Sequence, residues 1–199
     1  MLSELYSFAV LGFQHIVALD AFDHVLFLLV LAAIYRGRDW RQVLWVISAF
    51  TVGHSITLAL AVTDVLVLPP GIVEFLIPLT IVATGIENIV QRERAAQGLF
   101  SRHRVVFAAA FGLVHGAGFA GYLRSLFLDS IAVPLVGFNL GIEAGQIVVL
   151  AATAVLFRVV DGGLSAALPS RDPFPLRLTA VSLGVSLVAT GWAWQRFPQ

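Results

Sequence analysis

The fold class follows from the stretch Phe22-Asp-His-Val-Leu-Phe-Leu-Leu-Val-Leu-Ala-Ala-Ile-Tyr35, in which an acidic residue and an imidazole begin a long apolar run. A helix that crosses a bilayer needs about 20 predominantly apolar residues, and this run reaches that length when it is extended back to Phe13. An Asp at the centre of a bilayer costs at least about 2.5 to 3.5 kcal/mol. Asp23 and His24 are therefore expected to have partners inside the membrane.

The composition of the whole chain agrees with a membrane protein. Of its 199 residues, 59% are hydrophobic and 12% are charged, whereas an ordinary soluble domain carries roughly 25% charged residues. The net charge is zero, so nothing points to a nucleic-acid partner and we expect none. There are no cysteines, which excludes disulfides, thiolate metal sites and cysteine nucleophiles.

Apolar runs separated by charged, proline and glycine breaks predict an all-α integral membrane protein with one transmembrane domain, residues 1–199. We expect a compact bundle of six transmembrane helices whose main partner is the lipid bilayer. The predicted spans are Phe13–Tyr35, Gln42–Val62, Ile72–Val90, Val105–Leu123, Val133–Phe157 and Leu178–Gln195. No basic residue precedes the first run, as one would in a cleaved signal peptide, so we expect the first span to be retained.

Arginine alone sets the orientation, since the chain has no lysine. Ten of the twelve arginines fall in or beside the first, third and fifth connections, and only Arg124 and Arg196 lie on the other side. The positive-inside rule then places the odd-numbered connections in the cytoplasm. Both termini are therefore predicted to lie outside.

A faint internal repeat links the second and third spans to the fourth and fifth. Phe50-Thr-Val-Gly-His54 matches Phe111-Gly-Leu-Val-His115, and Gly85-Ile-Glu87 matches Gly141-Ile-Glu143. The matched spans run in the same direction, so the two units would be parallel repeats about an axis normal to the membrane. Two short matches in an apolar chain also arise by chance, and both interpretations stay open.

Ionisable residues of different spans share one predicted depth. Counting 1.5 Å per residue from the inner arginines puts His24, His54, His115 and Glu143 about 16 to 22 Å above the inner edge. Asp23 falls in the same layer. This predicts a metal site of His24, His54 and His115 with a carboxylate from Glu143 or Asp23. The alternative is that Asp23 or Asp20 orients a ligating imidazole through its other N–H.

Other polar residues are secondary candidates along a route to this site. Asp20 shares a helix face with Asp23 and His24, and Glu87 lies lower, roughly 7 Å from the inner edge. The secondary set is His15, Asp20, Glu87, Asn88, Asn139 and Gln146.

Glycines recur at small-residue spacing on the fourth and fifth spans. They are Gly112 and Gly116 on one span, and Gly137, Gly141 and Gly145 on the other. Small residues at this interval allow close helix approach, which a shared ion requires. The same faces also leave an oligomer open as a possibility.

Histidine with carboxylate suits nickel, cobalt or zinc rather than Cu(I), and the sequence leaves the metal open.

The leading interpretation is a non-enzymatic secondary permease for a divalent cation. The alternative is an intramembrane zinc hydrolase, in which three histidines leave one position for water and Glu143 or Asp23 is the general base. A structural or sensory membrane protein is the third possibility. The sequence contains no P-loop motif, which excludes transport driven by ATP hydrolysis in this chain.

Four motifs resemble the HupE/UreJ family of small bacterial membrane proteins. The resemblance covers roughly residues 12–150. The motifs are His15-Ile with Asp23-His24-Val-Leu-Phe-Leu-Leu, Phe50-Thr-Val-Gly-His54-Ser-Ile-Thr-Leu-Ala-Leu, Phe111-Gly-Leu-Val-His115-Gly-Ala-Gly-Phe119 and Phe138-Asn-Leu-Gly-Ile-Glu143-Ala-Gly-Gln146.

Members of that family are regarded as nickel or cobalt permeases associated with hydrogenase and urease maturation. The resemblance therefore implies a multi-pass protein of the bacterial inner membrane that transports a divalent metal. It assigns that transport to Asp23, His24, His54, His115 and Glu143.

Overall fold

The computed structural model describes residues 1–18, 22–96, 103–124, 126 and 131–198. Every regular element in this part of the chain is helical, which confirms the predicted all-α class. The elements are α1 (Leu2–Val17), α2 (Phe22–Ala33), a 3₁₀ turn (Gly37–Asp39), α3 (Trp40–Val62), α4 (Pro70–Val90), α5 (Arg92–Ala96), α6 (His103–Arg124), α7 (Ala132–Ala167) and α8 (Pro173–Gln195).

The first predicted span, Phe13–Tyr35, is wrong as one continuous helix. The structure has two helices there, α1 and α2, and their axes are bent by 69°. The backbone turns extended at Ala18 and ends α1, while Asp23 occupies the first turn of α2, where the helix dipole favours a negative charge. Hydropathy does not reveal this break, because both helices are apolar.

The fifth predicted span, Val133–Phe157, is too short. Helix α7 continues to Ala167, although the sequence after Phe157 was expected to be a connection. Polar residues such as Arg158 and Asp161 end an apolar run without ending a helix, and the chain offers no proline until Pro169. Helix α8 then starts with Pro173 in its first turn, where the Asp172 carboxylate accepts a hydrogen bond from the Phe174 backbone N–H.

Several of these helices are able to cross a bilayer. Four segments are each long and apolar enough: Gly37–Val62, Pro70–Val90, Ala132–Ala167 and Pro173–Gln195. The bent pair of α1 and α2 makes a fifth span if it is counted as one. The fourth predicted span lies within α6. The count of six spans, and the outside position of both termini, stay predictions.

Helices α3 and α6 run parallel and touch through glycine. A Cβ atom added to Gly112 would meet the carbonyl oxygen of Phe50, and one added to Gly116 would meet that of His54. The contacting residues advance together along both helices, which defines the parallel direction. The parallel direction is what the proposed repeat requires, while the duplication itself stays a prediction. This contact brings the backbones that carry His54 and His115 as close as sterics allow.

Helices α1 and α7 form a second parallel pair of the same kind. A Cβ on Gly137 would meet the carbonyl oxygen of Leu5, and one on Gly141 would meet that of Ala9. The glycine stripe of α7 is therefore filled by α1 of the same chain. An oligomer, which stays a prediction, has no access to that stripe.

Helices α4 and α8 pack antiparallel. The rings of Phe75 and Phe197 lie 5.3 Å apart at one end, and the Asn88 side-chain amide donates to Ser182 Oγ at 3.2 Å near the other. The second end also holds Arg36, Arg104 and Arg177, and we call it the arginine end. The positive-inside rule predicts that this is the cytoplasmic end.

Candidate metal site

His24 lies in the first turn of α2 and is oriented by its neighbour. The Asp23 carboxylate accepts a hydrogen bond from the His24 backbone N–H at 2.9 Å, and the same oxygen lies 3.0 Å from His24 Nδ1. A carboxylate accepts from the ring, so the proton belongs on Nδ1 and the lone pair on Nε2. His24 Nε2 is buried and has no hydrogen-bond partner in the described part of the chain. This is the arrangement in which a carboxylate orients a metal-binding imidazole.

His15 reaches the same place from the last turn of α1. Its ring centroid lies 4.6 Å from that of His24 and 3.9 Å from that of Phe119. The Phe119 ring in turn stacks on Phe138, with an interplanar angle of 8°. Two aromatic residues thus hold the imidazole of His15, and its Nε2 atom is buried without a partner.

His54 completes a group of three. Its side chain is fully buried in α3, and neither ring nitrogen has a hydrogen-bond partner among the residues that the structure describes. His15, His24 and His54 each offer one nitrogen, and these three atoms lie within 4.8 Å of one another. At metal–nitrogen distances of about 2.1 Å, two ligands of a tetrahedral ion stand about 3.4 Å apart. Small side-chain movements are enough to bring the three nitrogens onto one ion.

His115 of α6 adjoins this group of three. Its ring centroid lies 5.5 Å from that of His24, and its Nε2 atom lies 3.1 Å from Thr80 Oγ1. The Thr80 hydroxyl already donates to the carbonyl of Ile77 at 2.7 Å, so it accepts from an Nε2–H of His115. The lone pair of His115 is therefore on Nδ1, which is buried without a partner.

Ring nitrogens without a partner among the described residues are the common property of these four histidines. They are His15 Nε2, His24 Nε2, both nitrogens of His54 and His115 Nδ1. An unsatisfied buried polar atom costs about 1 to 3 kcal/mol, so a fold is not expected to gather several without a ligand. Neutral imidazole nitrogens are donor atoms that late first-row divalent ions favour. The donor set therefore fits a transition-metal cation.

A cavity of about 740 Å³ leads to the histidines. His15, His24 and His115 form part of its wall, together with Asp23. Glu74 and Arg196 line it as well; they lie at the start of α4 and just beyond the end of α8. The cavity therefore approaches the cluster from the end of the bundle opposite the arginine end.

The polar stripe of α7 contributes no residue to the histidine trio. Gln146 is buried and its side-chain oxygen accepts a hydrogen bond from Thr51 at 3.0 Å. Asn139 has a buried side-chain oxygen without a partner. Glu143 is half-buried and, within the described residues, makes no hydrogen bond or ion pair. Asp20 lies outside the described residues.

Glu87 and Asn88 lie at the arginine end. One Glu87 carboxylate oxygen is 2.8 Å from His103 Nε2, and the other is 2.9 Å from Arg104 Nη1. Arg104 also donates to the Asn88 side-chain oxygen at 3.0 Å, and the Asn88 amide donates to the carbonyl of Val30 at 2.6 Å. These bonds join α2, α4 and α6 below the histidines.

Sequence reasoning missed three contributors to this geometry. Thr80 fixes the tautomer of His115, Arg104 pairs with Glu87, and Phe119 packs on His15. A threonine or phenylalanine in an apolar span carries no signal of its own. Arg104 is one residue before a predicted span, and its sequence position alone indicates only an inner-edge charge.

Comparison with known proteins gives one family. A model described as HupE / UreJ protein matches residues 1–196. A search of curated proteins and a search of solved structures found no match. Since the match covers almost the whole length, this multi-pass helical membrane protein belongs to the HupE/UreJ family.

Proposed function

We propose that the protein is a secondary permease for a divalent transition-metal cation of the nickel or cobalt class. The family is associated with nickel and cobalt transport. The observation that carries the proposal is the convergence of unpartnered nitrogens from His15, His24 and His54 within 4.8 Å in the interior. In this proposal the cation is the substrate, and the three histidines are its binding site.

Each neighbouring residue has a role in that site. Asp23 holds the His24 ring with Nε2 free and adds a negative charge beside the cation. His115 stands next to His24 and is the first candidate for a fourth ligand. Glu143, which the sequence suggested as a ligand, is proposed instead to act outside the first coordination sphere, because it lies outside the histidine trio.

The route that we propose has one open and one closed end. The cavity beside Glu74 and Asp23 gives a cation access to the histidines, and carboxylates there favour cation entry. At the arginine end, Glu87 and Asn88 tie three helices together. This supports an outward-facing state, under the predicted orientation, in which release to the cytoplasm requires those bonds to open.

Binding and flux together test this proposal. Purified protein titrated with Ni²⁺ or Co²⁺ is expected to bind one ion, and proteoliposomes are expected to accumulate it. The variant His24→Ala is expected to lose both properties. The matched control is His103→Ala, which removes a histidine that lies outside the cluster and should keep equilibrium binding.

Two results would overturn the permease. Unchanged metal stoichiometry after replacement of His15, His24 and His54 by alanine would place the site elsewhere. Tight zinc binding without flux in the unmodified protein would favour the hydrolase, which the family match does not support.

A further inference from the structure

A second cavity lies at the arginine end, between α3 and α7, and has no part in the proposed route. Its volume is about 570 Å³. Part of its wall is aliphatic, formed by side chains such as Val43, Leu44, Ile147 and Ala154. Leu44, Ile147 and Ala154 are exposed on the outside of the bundle, where a membrane would supply acyl chains. We call this cavity the arginine groove.

Three guanidinium groups line the same groove. They belong to Arg36, Arg158 and Arg177. Two carboxylates accompany them, Asp161 and Asp172. With three positive and two negative side chains, the net charge of the groove is 3 − 2 = +1. The pKa of the Asp172 carboxyl lies below its usual range, chiefly because Arg36 donates a hydrogen bond to it, so this carboxylate counts as ionised at neutral pH.

Arg36 keeps free hydrogen-bonding capacity despite its ion pair. Its Nη2 donates to Asp172 at 2.6 Å and its guanidinium lies 4.2 Å from the centroid of the Phe174 ring. Its Nε–H is buried and has no hydrogen-bond partner within the described ranges. A guanidinium has five N–H donors, and one placed flat on an aromatic ring presents its edge to an anion.

Arg158 is the least engaged of the three. It is exposed and, in the part of the chain that the structure describes, makes no hydrogen bond, ion pair or ring contact. Arg177, by contrast, is buried, donates to Asp161 at 2.9 Å and lies 4.2 Å from the centroid of the Phe157 ring. The groove thus combines the ion-paired guanidinium of Arg177, that of Arg36 with part of its hydrogen-bonding capacity unused, and that of Arg158 with no partner among the described residues.

We propose that the arginine groove binds one anionic phospholipid of the leaflet at the arginine end, with its phosphate on the guanidinium groups and an acyl chain along the aliphatic wall. Basic pockets between transmembrane helices on the cytoplasmic side suit anionic headgroups. Trp40 lines the groove and is 60% exposed, as an interfacial tryptophan is expected to be. A free phosphate would bind to the arginines but would make no contact with the aliphatic wall.

Lipid binding to delipidated protein in detergent tests this directly. Native mass spectrometry with added phosphatidylglycerol is expected to show one saturable lipid, bound more tightly than phosphatidylcholine. Arg158→Gln is expected to weaken phosphatidylglycerol binding about fivefold, the effect of one arginine near an anionic headgroup. The matched control is Arg94→Gln, an exposed arginine of α5 near the arginine end that does not line the groove.

A substitution that changes volume but not charge tests whether an acyl chain lies along the aliphatic wall. Ala154→Trp fills the groove and is expected to reduce lipid binding, whereas Ala152→Trp, at an exposed position of the same helix outside the groove, is expected to leave it unchanged. Equal binding of the two lipids, or equal behaviour of either variant and its control, would overturn the proposal. So would displacement of the lipid by millimolar inorganic phosphate, which would indicate a free-anion site.

Discussion

The imidazole rings of His15 and His24 pack edge to face with their centroids 4.6 Å apart, across the break between α1 and α2. His15 was expected only as a secondary residue of the route. It joins the site because α1 ends at Val17, which places His15 in the last turn of that helix. The axes of α1 and α2 differ by 69°, and the His15 ring lies beside that of His24.

We therefore expect His15→Ala to weaken metal binding as strongly as His24→Ala. Loss of a group that only supports a ligand costs about 10- to 100-fold in affinity, so loss of a ligand should cost at least that much. The measurement is the Kd for Ni²⁺ or Co²⁺ by calorimetry. His103→Ala serves as control, and near-normal affinity of His15→Ala would remove His15 from the site.

Asp23→Asn tests the orienting carboxylate. The variant keeps the size of the side chain but weakens its bond to His24 Nδ1, now 3.0 Å long. We expect metal affinity to fall about 10- to 100-fold while the protein stays folded. Asp64→Asn is the control, since Asp64 lies in an exposed turn with φ of 62°, a conformation that Asn tolerates. Equal affinity of Asp23→Asn and Asp64→Asn would argue against an orienting role.

Metal binding should weaken as the pH falls. Each imidazole must be neutral to ligate, so protons and the cation compete for the same nitrogens and binding releases protons. Between roughly pH 7 and pH 5, where histidine ordinarily gains its charge, we expect the Kd to rise. Calorimetry in buffers of different ionisation heat also counts the released protons. A Kd that fell as the pH was lowered would contradict a site of neutral imidazoles.

Glu87→Gln should separate flux from binding. Glu87 holds His103 and Arg104 at the arginine end, away from the histidine trio, so equilibrium affinity should stay nearly unchanged. Flux in proteoliposomes should fall, because once the bonds at the arginine end have opened, the variant lacks the charge that a departing cation would meet on its way to the cytoplasm.

Glu93→Gln is the matched control for that experiment, because Glu93 is an exposed carboxylate of α5, which directly follows α4. Its flux should equal that of the unmodified protein. Normal flux in a well-folded Glu87→Gln protein would exclude Glu87 from the exit route.

Gly116→Ala should disturb both stability and binding. The added Cβ would collide with the carbonyl oxygen of His54, and a backbone atom cannot turn away as a side chain can. Overpacking of this kind typically costs about 1 to 3 kcal/mol, and the shift of α6 against α3 should also weaken metal affinity. Thermal unfolding in detergent measures the first effect.

The control for this variant is Gly121→Ala on the same helix, where a Cβ meets nothing within 4 Å. Alanine there is expected to be neutral or to stabilise the helix by up to about 1 kcal/mol. If both alanine variants unfolded at the same temperature, close contact at Gly116 would not be needed.

Local sequence determined the features that depend on neighbouring residues alone. Apolar runs gave the helical class and approximate positions for most helices, because the cost of exposing backbone in a membrane leaves few alternatives to a helix. The spacing of Gly112 and Gly116 indicated a close helix contact, and the structure has it. The predicted depth of His24 and His54 likewise agrees with their meeting in the interior.

Tertiary structure decided which side chains meet. The break after Val17, which no change in hydropathy marks, adds His15 to the histidines. Glu143 of α7 is not among the three clustered residues, although its expected depth matches theirs. Thr80 and Arg104 gain their roles from residues on other helices. The physical reason is that hydropathy fixes a residue's depth along its own helix, whereas contact between helices depends on bend, rotation and packing, which distant parts of the chain set together.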